Sequence, residues 1–297
     1  MITIDPKEIP QPKLHQYLLG AVGPRPIAFA STIDELGRPN LAPFSFFNVF
    51  SSNPPILIFS PARRGRDNTT KHTLENVKKN KECVINVVNW DIVEQASLTS
   101  TEYPEGVSEF AKSGLTPIPS DLVKPFRVKE SPVQMECKVN DIVELGQGGG
   151  AGNLIICEVI RLHIDENILD ADGKISPEKI DLVARMSGHW YTRASKGLFQ
   201  LPQPTSQIGI GYDQLPADIK NSTALTGSDL AKLAGAETLP DETSVNEYKL
   251  LELPELFIQY EDDLVKLEQK LHQHAKDLLA KNQVNDAWMT LLAFNRR

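Results

Sequence analysis

Residues 23–61 read GPRPIAFASTIDELGRPNLAPFSFFNVFSSNPPILIFSP. The punctuation of this stretch decides the architecture. Short runs of Ile, Phe, Ala and Val are separated by Pro, Gly, Asn and Asp, which is how strands bracketed by turns are written. Three hydroxyl clusters, Ser31-Thr32, Ser45 and Ser51-Ser52, fall among these runs, beside the aromatic pair Phe46-Phe47. A plain soluble core does not need so many hydroxyls next to rings, and the question is what ligand does.

The same texture continues outward to about Tyr191, through CVINVVN (83–89), VQMECKVNDIVEL (133–145) and LIICEVIRLHI (154–164). The last run alternates. Ile160, Leu162 and Ile164 are expected on one face and Arg161, His163 and Asp165 on the other, as in a half-exposed antiparallel strand. Few helical segments interrupt. TKHTLENVKKNKE (70–82) offers Thr70 as N-cap, with Leu74 and Val77 on one face. EGVSEFAKSG (105–114) closes on Gly114 in a C′-like position. Many short strands with few helices between them predict a mainly β barrel or sandwich, not a parallel α/β sheet.

After about Gln203 the texture changes. DLAKLAG (229–235) follows a helix start at Thr226 or Ser228. PELFIQYEDDLVKLEQKLHQHAKDLLAKN (254–282) then carries Phe257, Tyr260, Leu264, Leu267, Leu271, Ala275 and Leu278 at three-four spacing. That spacing predicts one amphipathic helix of about seven turns. A shorter helix is expected over NDAWMTLLAF (285–294). Residues 1–205 are thus expected to form a β domain and 206–297 a helical extension, packed on that domain or on a partner.

The formal net charge of −8 argues against nucleic acid or an anionic membrane as partner. No apolar run reaches 18 residues, so no bilayer-spanning segment is expected. The opening MITIDPKEIPQPK lacks the basic and apolar regions of a signal peptide, which makes the cytoplasm the expected location. Cys83, Cys137 and Cys157 lie far apart in apolar runs and read as buried free thiols, not a disulfide frame or a zinc site. His272 and His274 are two apart on a helix, cannot share a metal, and are assigned to its solvated face; His15 and His163 are given no role. GQGGGAGN (146–153) lacks the Lys-Ser/Thr of a phosphate loop and precedes a β run, so it reads as a flexible hairpin loop that could lie over a ligand.

Two stretches carry candidate chemistry. SFFNVFSSNPP (45–55) and RRGRDNTTKHTLENV (63–77) together offer Ser51, Ser52, Arg63, Arg64, Arg66, Thr69, Thr70, Lys71 and Thr73, the last of these opening a predicted helix. Unpaired N–H groups and partial positive charge at a helix start suit a phosphate, and Lys, Arg and Thr add charge and donors. A basic surface turn with an ordinary cap is the plainer alternative. MSGHWYTRA (186–194) places His189 and Tyr191 on one side of an extended segment and Trp190 on the other. Trp190 would fill core, while His189 and Tyr191 could stack on or edge a flat ring.

Taken in order, PRPIAFAST, NLAPFSFFNVFSSNPPILIFSP, TKHTLENVKKNKECVINVVN, EFAKSGLTPIPSDLVKPFRVKESPVQMECKV, GNLIICEVIRLHI and RMSGHWY resemble the flavin reductase-like, FMN-binding split-barrel family, which includes flavoredoxin-type proteins. The resemblance covers about residues 12–200. It implies an antiparallel Greek-key split barrel that dimerises, with one FMN per protomer near the dimer interface. It implies that Ser31, Thr32 and the segment holding Asn40, Ala42, Ser45, Phe46 and Phe47 lie along the flavin. It further implies that Lys71, His72 and Thr73 stand at the phosphate, with His72 where the family usually has an acid. His189, Trp190 and Tyr191 correspond to a region near the flavin or the partner subunit, and Arg25 is a candidate for stabilising charge on the reduced ring, or else forms a salt bridge. A flat ring with a polyhydroxyl tail and a terminal phosphate is a ligand that uses rings, hydroxyls and a basic helix start together.

The expected function is a flavoprotein oxidoreductase moving hydride or electrons between NADH or NADPH and FMN, and on to a small-molecule or protein acceptor. No catalytic acid or base and no metal ligand is assigned, since hydride transfer to flavin requires neither. Two alternatives stay open. One is an FMN-bound carrier reduced by a protein partner. The other is a non-catalytic flavin-binding scaffold whose helical tail is the working surface.

Overall fold

The stretch that opens the sequence reading folds as four strands, β1 (Ala28–Ile33), β2 (Pro39–Phe44), β3 (Phe47–Ser52) and β4 (Pro55–Phe59), preceded by a helix α1 (Gln11–Ala21). The computed structural model describes residues 1–201 and 208–294. It consists of two compact units, Met1–Phe199 and Gln200–Arg297. In the first unit α2 (His72–Asn80), β5 (Glu82–Val87), α3 (Val93–Leu98), α4 (Glu109–Ser113), β6 (Pro117–Ile118) and β7 (Arg127–Val128) lead to a long hairpin of β8 (Val133–Glu144) and β9 (Asn153–Ile164). A short helix α5 (Pro177–Ile180) and the ribbon β10 (Val183–Arg185) and β11 (Tyr191–Arg193) complete it.

Seven of these strands make one antiparallel sheet in the order β2-β1-β5-β8-β9-β4-β3. β2 and β3 occupy opposite edges, yet only Ser45 and Phe46 separate them in the chain. Two residues reach no more than about 10 Å even when extended, so the sheet must curl until its edges nearly meet. The result is a split barrel, the fold that the sequence resemblance implies.

Strand alternation then fixes two cores. Ala28 and Ala30 point inward with Phe44, Phe59, Leu74, Val77, Ile85 and Ile155. Ile27 and Phe29 point the other way, onto Ile92, Ala96 and Phe110 beside α3 and α4. β1 is buried along its whole length because both of its faces are covered. All three thiols, Cys83, Cys137 and Cys157, are fully buried in the barrel interior and free. Gly114 follows α4 in the left-handed conformation at φ +70°, as its C′-like position anticipates. The cap at α2 is Lys71, not Thr70.

The alternation expected along β9 comes out differently. Leu162 and Ile164 are exposed, at 50% and 37%, whereas His163 is half-buried against Glu136. A fully buried carboxylate drives this arrangement. Glu136 accepts hydrogen bonds from the N–H groups of Asp121 (2.8 Å), Leu122 (2.6 Å) and Val123 (3.2 Å), and His163 Nε2 lies 2.7 Å from it. A β-bulge between Glu136 and Cys137 accompanies the inward turn of this side chain.

The second unit is helical: α6 (Ala217–Lys220), α7 (Gly227–Ala234), α8 (Glu242–Glu252), α9 (Pro254–Gln259), α10 (Leu264–Ala280) and α11 (Val284–Leu292). Thr226 caps α7 through a capping box with Asp229. Trp288, Leu233, Leu279 and Ile219 centre its core, and Trp288 Nε1 donates to the Leu233 carbonyl at 3.1 Å. The single long helix expected here is broken into α9 and α10. α9 ends at Gln259, and Asp263 starts a new helix as its N-cap, accepting from the Lys266 N–H at 3.0 Å. His272 also departs from its expected solvated position. It is buried, its Nδ1 lies 2.8 Å from Ser222 Oγ, and burial lowers its pKa. The buried arc of α10 is wider than a simple stripe, taking in Leu267, Leu271, His272, Ala275, Leu278 and Leu279.

Burial alone would raise the Glu136 carboxyl, but the Asp121 N–H, the His163 side chain and the Leu122 N–H reverse this and hold it below the usual glutamate range. A carboxyl depressed by folding contributes stability that is fully present above its unfolded pKa of about 4.3 and is lost as pH falls through the lower folded value. Glu136→Gln is therefore expected to lower the urea stability of the barrel unit by about 1–3 kcal/mol at neutral pH. The gap between the two proteins should narrow as pH falls through the lowered folded value, where the native carboxylate is itself protonated.

Candidate functional site

The first turn of α2 is tied to the barrel wall by side-chain amides. Asn40 on β2 donates to Thr32 Oγ1 on β1 (3.1 Å) and to Thr73 Oγ1 on α2 (3.0 Å), and Asn76 donates to the same Thr32 oxygen at 3.0 Å. All four residues are buried, so this knot fixes where the positive end of α2 lies relative to β2. Thr32 is therefore structural here, holding the groups that line the site.

Between α2 and β2 opens a cavity of about 680 Å³. Its floor is Asn40, Ala42, Pro43 and Phe44; its rim is Ala62–Arg66, Lys71–Thr73 and Thr99–Tyr103; Gln11, His15 and Gly150 close it from the other side. The volume lies within the range of small-molecule sites. The rim is cationic. Arg64 Nε lies 2.7 Å from Glu102 Oε1, Arg66 pairs with the other Glu102 oxygen, and Lys71 Nζ is 3.5 Å from Oε1. Arg64 also donates to Thr69 Oγ1 at 2.9 Å and to the Thr70 carbonyl, which folds the loop back on itself. Asp67 tightens the same loop, and the Thr69 hydroxyl and N–H hold its carboxyl at about 2. The glycine-rich hairpin lies against this loop. A Cβ on Gly149 would come within 3.1 Å of the Arg64 and Gly65 carbonyls, and Gly150 adopts φ +86°. Only glycine permits that approach with that backbone.

His72 opens α2 and lines this cavity together with Glu109, whose carboxylate is buried and accepts from the Leu41 N–H at 3.1 Å. Burial raises the Glu109 pKa, while His72 acts in the opposite sense. A buried acid from α4 therefore stands beside His72 in this cavity. A second cavity, of about 310 Å³, shares Pro43 and Ser100 with the first and is lined by Ile27, Ser45, Ala96, Arg185 and Tyr191. Arg185 stacks on the Tyr191 ring at 4.6 Å.

The structure thus brings Asn40, Ala42, Lys71, His72 and Thr73 to one cavity and Ser45 and Tyr191 to its neighbour. The other candidates are placed elsewhere. Arg25 is buried and its guanidinium donates to the carbonyls of Leu19, Val22 and Met186, each at 2.7 Å, clamping the end of α1 to the segment before β11. Ser31 is buried inside β1, and its hydroxyl has no partner among the described residues. Phe46 meets His15 edge-on at 6.2 Å, and Phe47 packs on the barrel core. Ser51 and Ser52 lie on the edge strand β3, where Ser51 Oγ accepts from the Asn53 N–H at 3.3 Å. His189 and Trp190 are exposed in the turn between β10 and β11, Trp190 at 75%, and not in a core. No local sequence signal marks Glu102, Glu109 or the α1 wall, because each is recruited to the cavity from a distant segment.

Residues 21–179 match the family described as flavin reductase like domain. An uncharacterized protein of Aquifex aeolicus is 39% identical over 188 residues, covering 63% of this chain and 93% of that one. An uncharacterized protein of Halalkalibacterium halodurans is 34% identical, covering 69% and 97%. Among solved structures, nitrilotriacetate monooxygenase component B from Bacillus cereus superposes with a TM-score of 0.64 at 30% identity, covering 68% of this chain and 98% of that one. The family match ends before the helical unit begins. With that curled sheet and cationic cavity, and a family match over more than half its length, the chain belongs to the flavin reductase-like family.

Proposed function

We propose that residues 1–205 bind FMN and act as an NAD(P)H-dependent flavin oxidoreductase. The observation that carries this reading is the cavity whose rim gathers Arg64, Arg66 and Lys71 at the start of α2 while its floor runs along β2 toward Ser45 and Tyr191. The donor set fits a phosphorylated flavin. Arg64, Arg66, Lys71 and Thr73 would hold the phosphate. Asn40, Ala42 and Pro43 would follow the ribityl chain, and Ser45 and Tyr191 would meet the ring system. Bound FMN would supply the acceptor for a hydride from NADH or NADPH and the route of electrons to a small-molecule or protein acceptor. The chain's own work is placement. Asn40 and Asn76 keep α2 in register with β1 and β2, and Pro43 and Phe44 present an apolar wall that excludes water.

The same reading makes the active form a homodimer in the cytoplasm, with neither nucleic acid nor membrane as partner. Edge strand β3 exposes Val49 and Phe50 at 62% and 63%, and the exposed Leu162 and Ile164 on β9 add apolar surface that a second copy would cover. Among the described residues no helix is long and apolar enough to cross a membrane. Residues 206–297 form the helical extension of this arrangement.

Protein purified and supplied with FMN is expected to show the absorbance bands of bound oxidised flavin and to bleach anaerobically on mixing with NADH or NADPH in a stopped-flow cell. Colourless protein after soaking in excess FMN would end the proposal; bound flavin that responds only to a reduced protein donor would convert it to the carrier reading. The double substitution Arg64→Ala, Lys71→Ala is expected to weaken FMN binding about 10- to 100-fold by removing charge-assisted contacts. It should leave riboflavin, which has no phosphate, nearly unaffected in the same fluorescence titration.

A further inference from the structure

The cationic rim already holds an anion of the protein's own. Glu102 sits in an irregular segment between α3 and α4 and places one carboxylate oxygen on Arg64 (2.7 Å) and Lys71 (3.5 Å), the other on Arg66. Its interactions are with these three cations, and they converge on it from two segments, the Arg63–Asp67 loop and the start of α2. Two oxygens shared among three cationic groups beside a helix N-terminus is the arrangement an oxyanion of phosphate size would take there. The Arg64 hydrogen bond, helped by the charges of Lys71 and Arg66, holds the Glu102 carboxyl below the usual glutamate range. It is therefore ionised throughout the neutral range.

We infer that Glu102 is an internal stand-in for the ligand phosphate, and that its displacement and return make FMN an exchangeable ligand of this chain and not a permanently held one. The inference rests on the FMN reading above. In binding, the phosphate takes over the contacts of Glu102 with Arg64, Arg66 and Lys71 one by one, and in release the carboxylate takes them back as the phosphate leaves. The phosphate therefore contributes only the difference between two sets of ion pairs. The chain keeps its selectivity for a phosphorylated ligand while giving up residence time. The side chain has room for this movement, since Glu102 is 34% exposed and Lys71 33%, whereas Arg64, at 15%, is the fixed member. A device of this kind suits a protein that hands its reduced flavin to another.

The test compares wild type with Glu102→Gln, which keeps the shape and removes the charge. FMN and riboflavin affinities are read by fluorescence and FMN dissociation by stopped flow; inorganic phosphate is titrated separately by phosphorus NMR. Relief of this weakly shielded competition is expected to tighten FMN by about five- to twentyfold, mainly through slower dissociation. Riboflavin should not change, and phosphate should tighten in parallel with FMN. Equal or weaker FMN and phosphate binding by Glu102→Gln would overturn the inference, because it would make Glu102 an organiser of the cations and not their competitor. An equal shift for riboflavin would overturn it too. If neither protein takes FMN, the flavin reading falls and exchangeable FMN falls with it, while the phosphate titration still decides whether Glu102 competes for the anion site. Should Glu102→Gln fold poorly by circular dichroism, Glu102→Asp keeps the charge on a shorter arm and is expected to tighten both phosphorylated ligands by a smaller factor; no change there would count against the inference equally.

Discussion

The two-residue link between β2 and β3 is the constraint on which the rest of the barrel depends. A seven-stranded antiparallel sheet can lie open and twisted, and its edge strands then stand far apart. Here Ser45 and Phe46 join the two edges, so the sheet has to coil. Coiling makes one face concave and fills it with Ala28, Ala30, Phe59, Ile85 and Ile155, with small residues where β1 is most tightly enclosed. It also turns β2 so that its far side faces α2 and the Ala62–Arg66 loop, which is where the cationic cavity lies. Fold and site are consequences of the same short connection.

Polar burial gives this geometry its precision. Hydrophobic packing would let α2 slide along the barrel by part of a turn at small cost, because apolar contacts are not directional. The amides of Asn40 and Asn76 converge on Thr32, and Asn40 also reaches Thr73, so a slide would leave several buried groups unpaired. Glu136 does the same on the other side of the sheet, where three N–H groups of the Asp121–Val123 turn lock onto one carboxylate. Directional bonds inside an otherwise apolar wall place the helix start, and with it Lys71, His72 and Thr73, in a defined position.

Local features of this chain were legible in its sequence, and features made by distant residues were not. Period-two apolar runs between turn residues marked β1, β4, β5, β8 and β9, and Gly114 marked the end of α4, because strand alternation and left-handed glycine are local. The basic run before α2 announced itself for the same reason. Glu136 and His163 lie 27 residues apart, and Glu102 and Arg64 38 apart. Their partnership exists only after the sheet has closed, so no local signal marks His163 as the covered residue and Leu162 and Ile164 as the exposed ones. The break before Asp263 was written as an acidic pair inside a continuous apolar stripe, and periodicity outweighed the cap. Arg25 stood open between a contact to the reduced ring and a salt bridge, because its three carbonyl partners include one 161 residues away.

Charge and reactivity are separated within the site. The titratable groups crowd one end, where Arg64, Arg66, Lys71, His72, Glu102 and Glu109 surround the start of α2. The other end, around Pro43, Ser45 and Tyr191, offers backbone, a hydroxyl and a ring, with Arg185 engaged on the aromatic face. Such an arrangement serves chemistry in which the ligand itself carries the reactive atom. Binding energy gathered at a remote, strongly charged group then fixes the orientation of a part that the protein touches only lightly. On the proposed flavin reading, a charged acid or base beside the ring would add little to hydride transfer and would bias the ring's own protonation. A cavity polarised along its length in this way is what phosphate anchoring at a distance requires.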